Sequence, residues 1–350
     1  MQTERRLTSF SHGAGCGCKL GPEQLRTLMD SVTLPAMPPE VLVGADTGDD
    51  AAVYRLPSGE AIIATLDFFT PIVDDPYDWG RIAATNALSD VYAMGGRPIV
   101  ALNIVNWPVD DLPLEMLSRV LQGGIDMAAA DGVAVLGGHS ITDPEPKYGM
   151  VVLGLAAEDD LTRNSTARAG DRLFLTKPLG LGIVSTAIKR GLADEELVHA
   201  AVDLMTTTNR AAAEAMRASE VSAATDVTGF GLLGHLQRML EASGVAARLD
   251  AASVPLLDRR VLELARSDVV PGGSKRNLAH VRPLVDFDAA TPPEQAILAD
   301  AQTSGGLLIA TERPGPLRAE LRGEGIEAAE IGEVIEGPPG RISVLGRLPE

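Results

Sequence analysis

Between Asp75 and Val105 the chain carries a complete helix-to-strand unit, and this unit limits the fold more than any other feature. Asp75 suits an N-cap, Pro76 suits the first helical position, and Asp78 adds an acid to the first turn. Trp79, Ile82, Ala83 and Val91 carry the helix to Met94, where Gly95-Gly96 and Pro98 stop it. Ile99–Val105 then reads as a buried strand, followed by a helix from about Leu114 to Ala130. Upstream, Ala51–Leu56 and Ala61–Leu66 flank Pro57-Ser58-Gly59-Glu60 as a β-hairpin, and downstream Val133–Leu136 and Met150–Leu155 are further strands. The product is an α/β half ending near residue 158.

With 350 residues, 45% of them hydrophobic, the chain is long enough for a second such unit. A polar stretch from Glu158 to Asp171 separates the halves. Beyond it, Arg172–Thr176 restarts a strand, with helices expected at Leu181–Arg190, Glu195–Arg217, Phe230–Ala242 and Leu256–Ala265, and a strand after Gly305-Gly306. The expected division is a flexible Gly/Cys-rich lid over 1–20, an α/β domain over 21–158, and a second α/β domain over 159–350.

A net charge of −18 opposes sequence-independent attraction to nucleic acid or anionic membranes, and 3% aromatic residues leave few stacking platforms. The longest apolar stretch, Gly149–Ala157, falls far short of the ~20 residues a spanning helix needs. The first residues hold no apolar signal core, and the only two cysteines, Cys16 and Cys18, are too close to frame a disulfide scaffold. A cytoplasmic protein is expected. An acidic protein that binds a polyanion needs local cations or converging main-chain N–H groups.

Ser11-His-Gly-Ala-Gly-Cys-Gly-Cys-Lys19 gathers two thiols, an imidazole and an ammonium on a permissive backbone. Lys19 and a protonated His12 would raise the thiolate fraction of a neighbouring cysteine. Cys-x-Cys supplies only two of the four ligands of a structural zinc site, and the segment lacks the Ser/Thr of a phosphate-binding P-loop. A mobile lid that handles a soft nucleophile is the better expectation.

Aspartates recur at strand and helix ends: Asp49-Asp50, Asp67, Asp90 and Asp226. Each could be a cap or a surface charge, but Asp90 has the apolar neighbours Ala87, Leu88 and Val91, and shares a helix face with Asn86. A buried carboxylate is normally paired or bound to metal, and oxygen ligands of this kind suit Mg²⁺ joined to nucleotide phosphates. Gly137-Gly138-His139-Ser140 is expected at the carboxyl end of a strand, and Gln302–Gly306 ahead of another; either could hold an anion or form an ordinary turn. Gly229-Phe-Gly231-Leu-Leu-Gly234 fits a dinucleotide fingerprint, but Ala223–Thr228 reads as a poor buried strand and the pattern lies past mid-chain. Anion or metal binding beside Asp226 is the better use of those glycines.

Taken together, Ser11–Lys19, Asp49–Val53, Asp67–Phe69, Asp78–Gly96, Gly137–Ser140, Thr225–Gly234, Pro271–Asn277 and Gln302–Leu307 resemble the selenophosphate synthetases (selenide, water dikinases). These belong to the aminoimidazole ribonucleotide synthetase-like superfamily. The stretches run through nearly the whole chain in order, and the Cys/Lys segment is the specific part. Leu66 stands where Thr is usual and Ala301 where Pro is usual. The resemblance implies a two-domain α/β (α+β) fold whose N-terminal sheets pair into a barrel in a homodimer. It implies ATP-dependent synthesis of selenophosphate from selenide and water, releasing AMP and phosphate and feeding selenocysteine and selenouridine pathways. Cys16 and Lys19 would be catalytic; Lys19, Thr47, Gly48, Asp49, Asp67, Asp90, Gly138, His139 and Ser140 would bind nucleotide; Asp50, Asp90 and Asp226 would hold Mg²⁺. A selenium-delivery protein is a further implied partner. The alternatives are a related ATP-dependent enzyme of purine or thiamine metabolism and a non-enzymatic selenium carrier.

Overall fold

A computed structural model describes residues 6–13, 15–44 and 48–349; the side chains of Cys16, Cys18, Pro22, Glu23, Arg26 and Asp30 lie outside the described set. After short 3₁₀ turns at Leu7–Phe10 and Gly15–Cys18 comes helix α1 (Pro22–Asp30). The first sheet follows: β1 (Val41–Val43), β2 (Ala52–Arg55), β3 (Glu60–Phe69), β4 (Arg97–Trp107), β5 (Ala134–Thr142) and β6 (Lys147–Ala157), with α2 (Pro76–Ala93) and α3 (Leu114–Ala130) between strands. Its order is β1-β2-β3-β6-β4-β5, antiparallel except for the β4–β5 pair.

The second sheet takes β7 (Arg172–Leu175), β8 (Ala223–Asp226), β9 (Ala246–Asp250), β10 (Val285–Phe287), β11 (Leu307–Thr311), β12 (Ala329–Ile335) and β13 (Ile342–Leu345) in the order β10-β13-β9-β12-β7-β11-β8. Around it pack α4 (Leu181–Arg190), α5 (Glu195–Thr206), α6 (Arg210–Ser219), α7 (Gly231–Ser243), α8 (Arg260–Arg266), α9 (Gly272–Val281), α10 (Pro292–Leu298) and α11 (Pro314–Gly323). Among the described residues no helix is long and apolar enough to cross a membrane.

Helix α2 is the pillar on which the site is built. Asp75 caps it as expected, accepting the Tyr77 and Asp78 N–H groups at 2.8 and 3.0 Å. The helix is buried on nearly every face because it lies on β3 and β6, against α3, and against α5, α6 and β8 of the second half. Small residues permit this. A Cβ on Gly80 would sit 2.0 Å from the Val120 carbonyl oxygen, and one on Gly123 would sit 2.0 Å from that of Tyr77, so α2 and α3 touch backbone to backbone. A helix enclosed this way carries any polar side chain it holds into the interior between the sheets.

Three expectations change. Gly137–Ser140 does not follow a strand but lies within β5, paired with Asn103, Ile104 and Val105 of β4, because Gly138 lets the strand lie against the Asn103 backbone. The helix expected over Glu195–Arg217 breaks into α5 and α6, where the buried Asn209 donates to Ser89 Oγ and the Gly305 carbonyl instead of extending the helix. Ala223–Asp226 is a fully buried strand after all, at the edge of the second sheet and antiparallel to β11. That pairing differs from the parallel βαβ setting a dinucleotide fingerprint requires.

Candidate active site

The carboxylates converge because four separate elements end at one cavity of about 190 Å³ between the sheets. β3 contributes Thr65 and Asp67, α2 contributes Asp90, the segment before β2 contributes Gly48, Asp49 and Asp50, and β8 contributes Thr225 and Asp226. Alternation along β3 turns Asp67 inward, where it is 5% exposed, while its neighbours Leu66 and Phe68 face outward.

Each acid is held by a neutral donor. Thr65 Oγ1 donates to Asp90 Oδ2 at 2.5 Å, Thr225 Oγ1 to Asp50 Oδ1 at 2.7 Å, and Ser89 Oγ to Asp226 Oδ2 at 2.6 Å. Asn164 N donates to Asp49 Oδ1 at 2.7 Å. Asp67 Oδ2 takes Asn86 Nδ2 at 2.9 Å and Lys19 Nζ at 2.6 Å, so the lysine closes over the acids from the N-terminal segment.

Behind Asp50 stands His235 of α7. The Thr228 N–H donates to its Nε2 at 3.1 Å, which leaves the proton on Nδ1, 3.4 Å from Thr225 Oγ1. Burial, with Arg238 and Lys19 nearby, pushes the imidazole down to about 3, so the ring is neutral and serves as a fixed donor. The threonine hydroxyl is thereby directed at Asp50.

Burial is the dominant electrostatic fact, and repulsion among the acids adds to it. Burial raises Asp50 well above the ordinary carboxylate range, and the charges of Asp226 and Asp90 raise it further. Asp90 is raised by burial, then by Asp226 and Asp67. Burial lifts Asp226 to about 6 against the opposing pull of Ser89, Lys19 and Lys177. Asp50 Oδ2 is buried with no hydrogen-bond partner. Among the described residues no three His, Cys, Asp or Glu side chains are already gathered as a ligand set. The chemistry of the donors nevertheless fits a hard divalent cation: buried acids that raise one another's pKa, and an orphaned carboxylate oxygen.

The AIR synthase related protein families match here, the N-terminal domain over residues 48–156 and the C-terminal domain over 168–344. The selenide, water dikinase of Myxococcus xanthus is 51% identical over 347 residues, 98% of this chain and 97% of its own. That of Escherichia coli strain K12 is 46% identical over 342 residues, 97% of each. The chain belongs to the selenide, water dikinase family. The fold extends beyond that family: an AaThiL structure complexed with AMPPCP and TMP superposes with a TM-score of 0.66 at 20% identity, over 95% of both chains.

In this selenide, water dikinase family chain, Lys19, Gly48, Asp49, Asp50, Asp67, Asp90 and Asp226 all line the cavity. Thr47 lies outside the described residues, as does the side chain of Cys16. Gly138, His139 and Ser140 are not among the cavity's lining residues; they sit on the exposed edge strand β5. Sequence reasoning missed Ser89, Asn164, Asn209, His235 and Arg238. Arg238 lies over the Phe230 ring, 5.3 Å from its centroid, and covers Gly48, whose added Cβ would meet Nη2 at 1.9 Å. The available signal was the fingerprint itself, since His235 and Arg238 follow Gly234 one and four residues into the same helix.

Lys177 was missed too. Fully buried and pushed down to about 7 by desolvation, it donates to the Thr207 and Ser304 carbonyls at 2.6 and 2.8 Å. It fastens the α5–α6 break to the turn before β11.

Proposed function

We infer that the protein makes selenophosphate from ATP, selenide and water, releasing AMP and phosphate, as a kinase-type phosphotransferase. Full-length kinship to selenide, water dikinases supports this. The observation that carries it into chemistry is the Lys19–Asp67 contact, which sets the family's Cys/Lys segment directly over the buried acids.

Asp50, Asp90 and Asp226 would hold Mg²⁺, which when bound offsets the triphosphate charge. The remaining work falls to the chain. Lys19 lies at the mouth of the cavity with a mobile donor suited to a transferred phosphoryl group. Asn86 fixes Asp67, Ser89 fixes Asp226, and the His235–Thr225 pair fixes Asp50, so the acids need little reorganisation when charge shifts during transfer. A neighbouring, more apolar cavity of about 410 Å³, lined by Leu20, Leu66, Phe68 and Phe230, suits the nucleoside. Cys16 would present selenide to the γ-phosphate from the same segment that carries Lys19, and that segment would shield the intermediate from premature hydrolysis.

A homodimer completes the reading. β5 exposes Leu136 and Ile141 along an edge, and a second copy pairing there would bring Gly138, His139 and Ser140 toward a nucleotide.

Chromatographic analysis of nucleotides tests the proposal. AMP should accumulate in a selenide-dependent manner with wild-type protein. ADP as the lasting product, with no response to selenide, refutes it.

A further inference from the structure

The N-terminal segment has two sides. One faces the acids; on the other lies a separate cavity of about 510 Å³, lined in part by Gly17, Thr186, Lys189, Arg190, Gly272 and Arg276. In a chain with 48 acidic and 30 basic residues, three cations around one cavity are unexpected, and their partners are more so. Lys189 Nζ donates to the Ser11 and Gly13 carbonyls, Arg276 to the Gly17 carbonyl at 3.2 Å, and Arg190 to the Asp268 carbonyl at 3.5 Å. Among the described residues none of the three is hydrogen-bonded to a carboxylate. The nearby acids are engaged elsewhere: Asp268 with Lys275 at 2.7 Å, and Glu145 with His12 at 2.5 Å and with Lys147. Main-chain carbonyls accept hydrogen bonds but carry no net charge; the Asp268 carboxylate offsets Arg190 in part, and Lys189 and Arg276 leave the cavity a positive excess.

Arginine and lysine N–H groups are hard donors that match the oxygens of phosphate. A hydroselenide ion, large, soft and singly charged, uses such donors poorly. The floor also has room: Gly272 carries no side chain, and Arg276 folds back over it, with Nη1 3.5 Å from where a Cβ would stand. α9 meets the Cys16–Cys18 turn from behind, because a Cβ on Gly273 would lie 2.6 Å from the Gly17 carbonyl oxygen.

We propose that this cavity binds a phosphate-type oxyanion, the orthophosphate or selenophosphate that the reaction releases. The assignment to a product rests on the activity proposed above; oxyanion binding by itself does not. An anion seated there shares Arg276 with Gly17, and so touches the lid from outside while the nucleotide cavity lies on its other side.

The test is calorimetric titration of orthophosphate into the full-length protein, without nucleotide, selenide or magnesium, at constant ionic strength in chloride. The expected result is saturable binding that weakens about tenfold in Arg190→Gln and in Arg276→Gln, the loss of one charge-assisted hydrogen bond, and is unchanged in Asp90→Asn. Both arginines are exposed, so neither substitution threatens the core. No saturable binding to the wild type overturns the proposal. So does binding that survives both arginine changes or that depends on Asp90. Thiophosphate, the sulfur counterpart of selenophosphate, separates the two sources: tighter binding than orthophosphate assigns the cavity to the chalcogen-bearing product, weaker binding to orthophosphate. Because selenide is absent, phosphate binding without any AMP formation in a separate assay would leave the cavity standing and remove only the proposed activity.

Discussion

The Asn86 side-chain oxygen accepts the Ser304 N–H at 2.7 Å, while the same amide's Nδ2 donates to Asp67 Oδ2 at 2.9 Å. One buried amide thus joins the turn before β11 in the second half to an acid on β3 in the first, and orients the acid that Lys19 grips. Asn86→Ala takes the Asn86 acceptor from the Ser304 N–H, at a cost of about 1–3 kcal/mol if that group is left unsatisfied, and leaves Asp67 its Lys19 partner but without the amide that orients it. It should lower kcat by at least the order of tenfold, with a smaller change in KM for ATP. Steady-state kinetics with a thermal unfolding scan checks this. A variant that loses stability but keeps kcat would reduce Asn86 to a structural clamp.

Lys19→Met should lower turnover about 10²–10³-fold, the scale seen when one preorganised transition-state donor is removed. Nucleotide affinity should fall less, since Asn86 still holds Asp67. Single-turnover rates beside equilibrium ATP-analogue binding separate the two effects, and equal losses in both would make Lys19 a binding residue alone.

Cys16→Ser should depress selenophosphate formation more than nucleotide binding, because the hydroxyl is a harder and weaker nucleophile than a thiolate. Selenium-dependent product formation measured against ATP-analogue affinity tests this.

The acids also set the pH response of the metal-free protein. Asp226 is raised from 3.8 to about 6. A group whose folded pKa is raised contributes stability that is complete below its unfolded pKa and lost as pH rises through the folded one. The metal-free melting temperature should therefore fall between about pH 4 and pH 6 more steeply in wild type than in Asp226→Asn. Asp90→Asn removes one of the repelling charges and should raise the metal-free melting temperature at neutral pH by a few degrees, about 2–4 °C per kcal/mol of relieved repulsion. The same change should abolish turnover. Magnesium should stabilise wild type more than either variant; equal stabilisation of all three would separate these acids from the cation.

Much of this arrangement was legible in the chain. Asp75-Pro76 and Gly95-Gly96 bounded α2 because capping and helix termination are local, and Leu114–Ala130 emerged with the boundaries the apolar period implied. Asp90 stood out because an acid among Ala87, Leu88 and Val91 must find a partner. What escaped notice depended on distance. Ser89 and His235 are unremarkable locally and gain meaning only when α2, the α5–α6 break and α7 meet. The break itself was marked locally by Thr206-Thr207-Thr208-Asn209, a β-branched run ending at the N-cap of α6, and the tertiary partners of Asn209 fix it there. Gly137–Ser140 looked like a turn because glycine marks both turns and places where a strand lies close to its neighbour's backbone, and only the pairing with β4 decides.

The most direct test is phosphorus NMR of the full-length protein with ATP, magnesium and selenide. The account predicts one selenophosphate, one AMP and one orthophosphate for each ATP consumed, all lost in Asp90→Asn. A spectrum that ends at ADP and orthophosphate, with no phosphorus bonded to selenium, would contradict it.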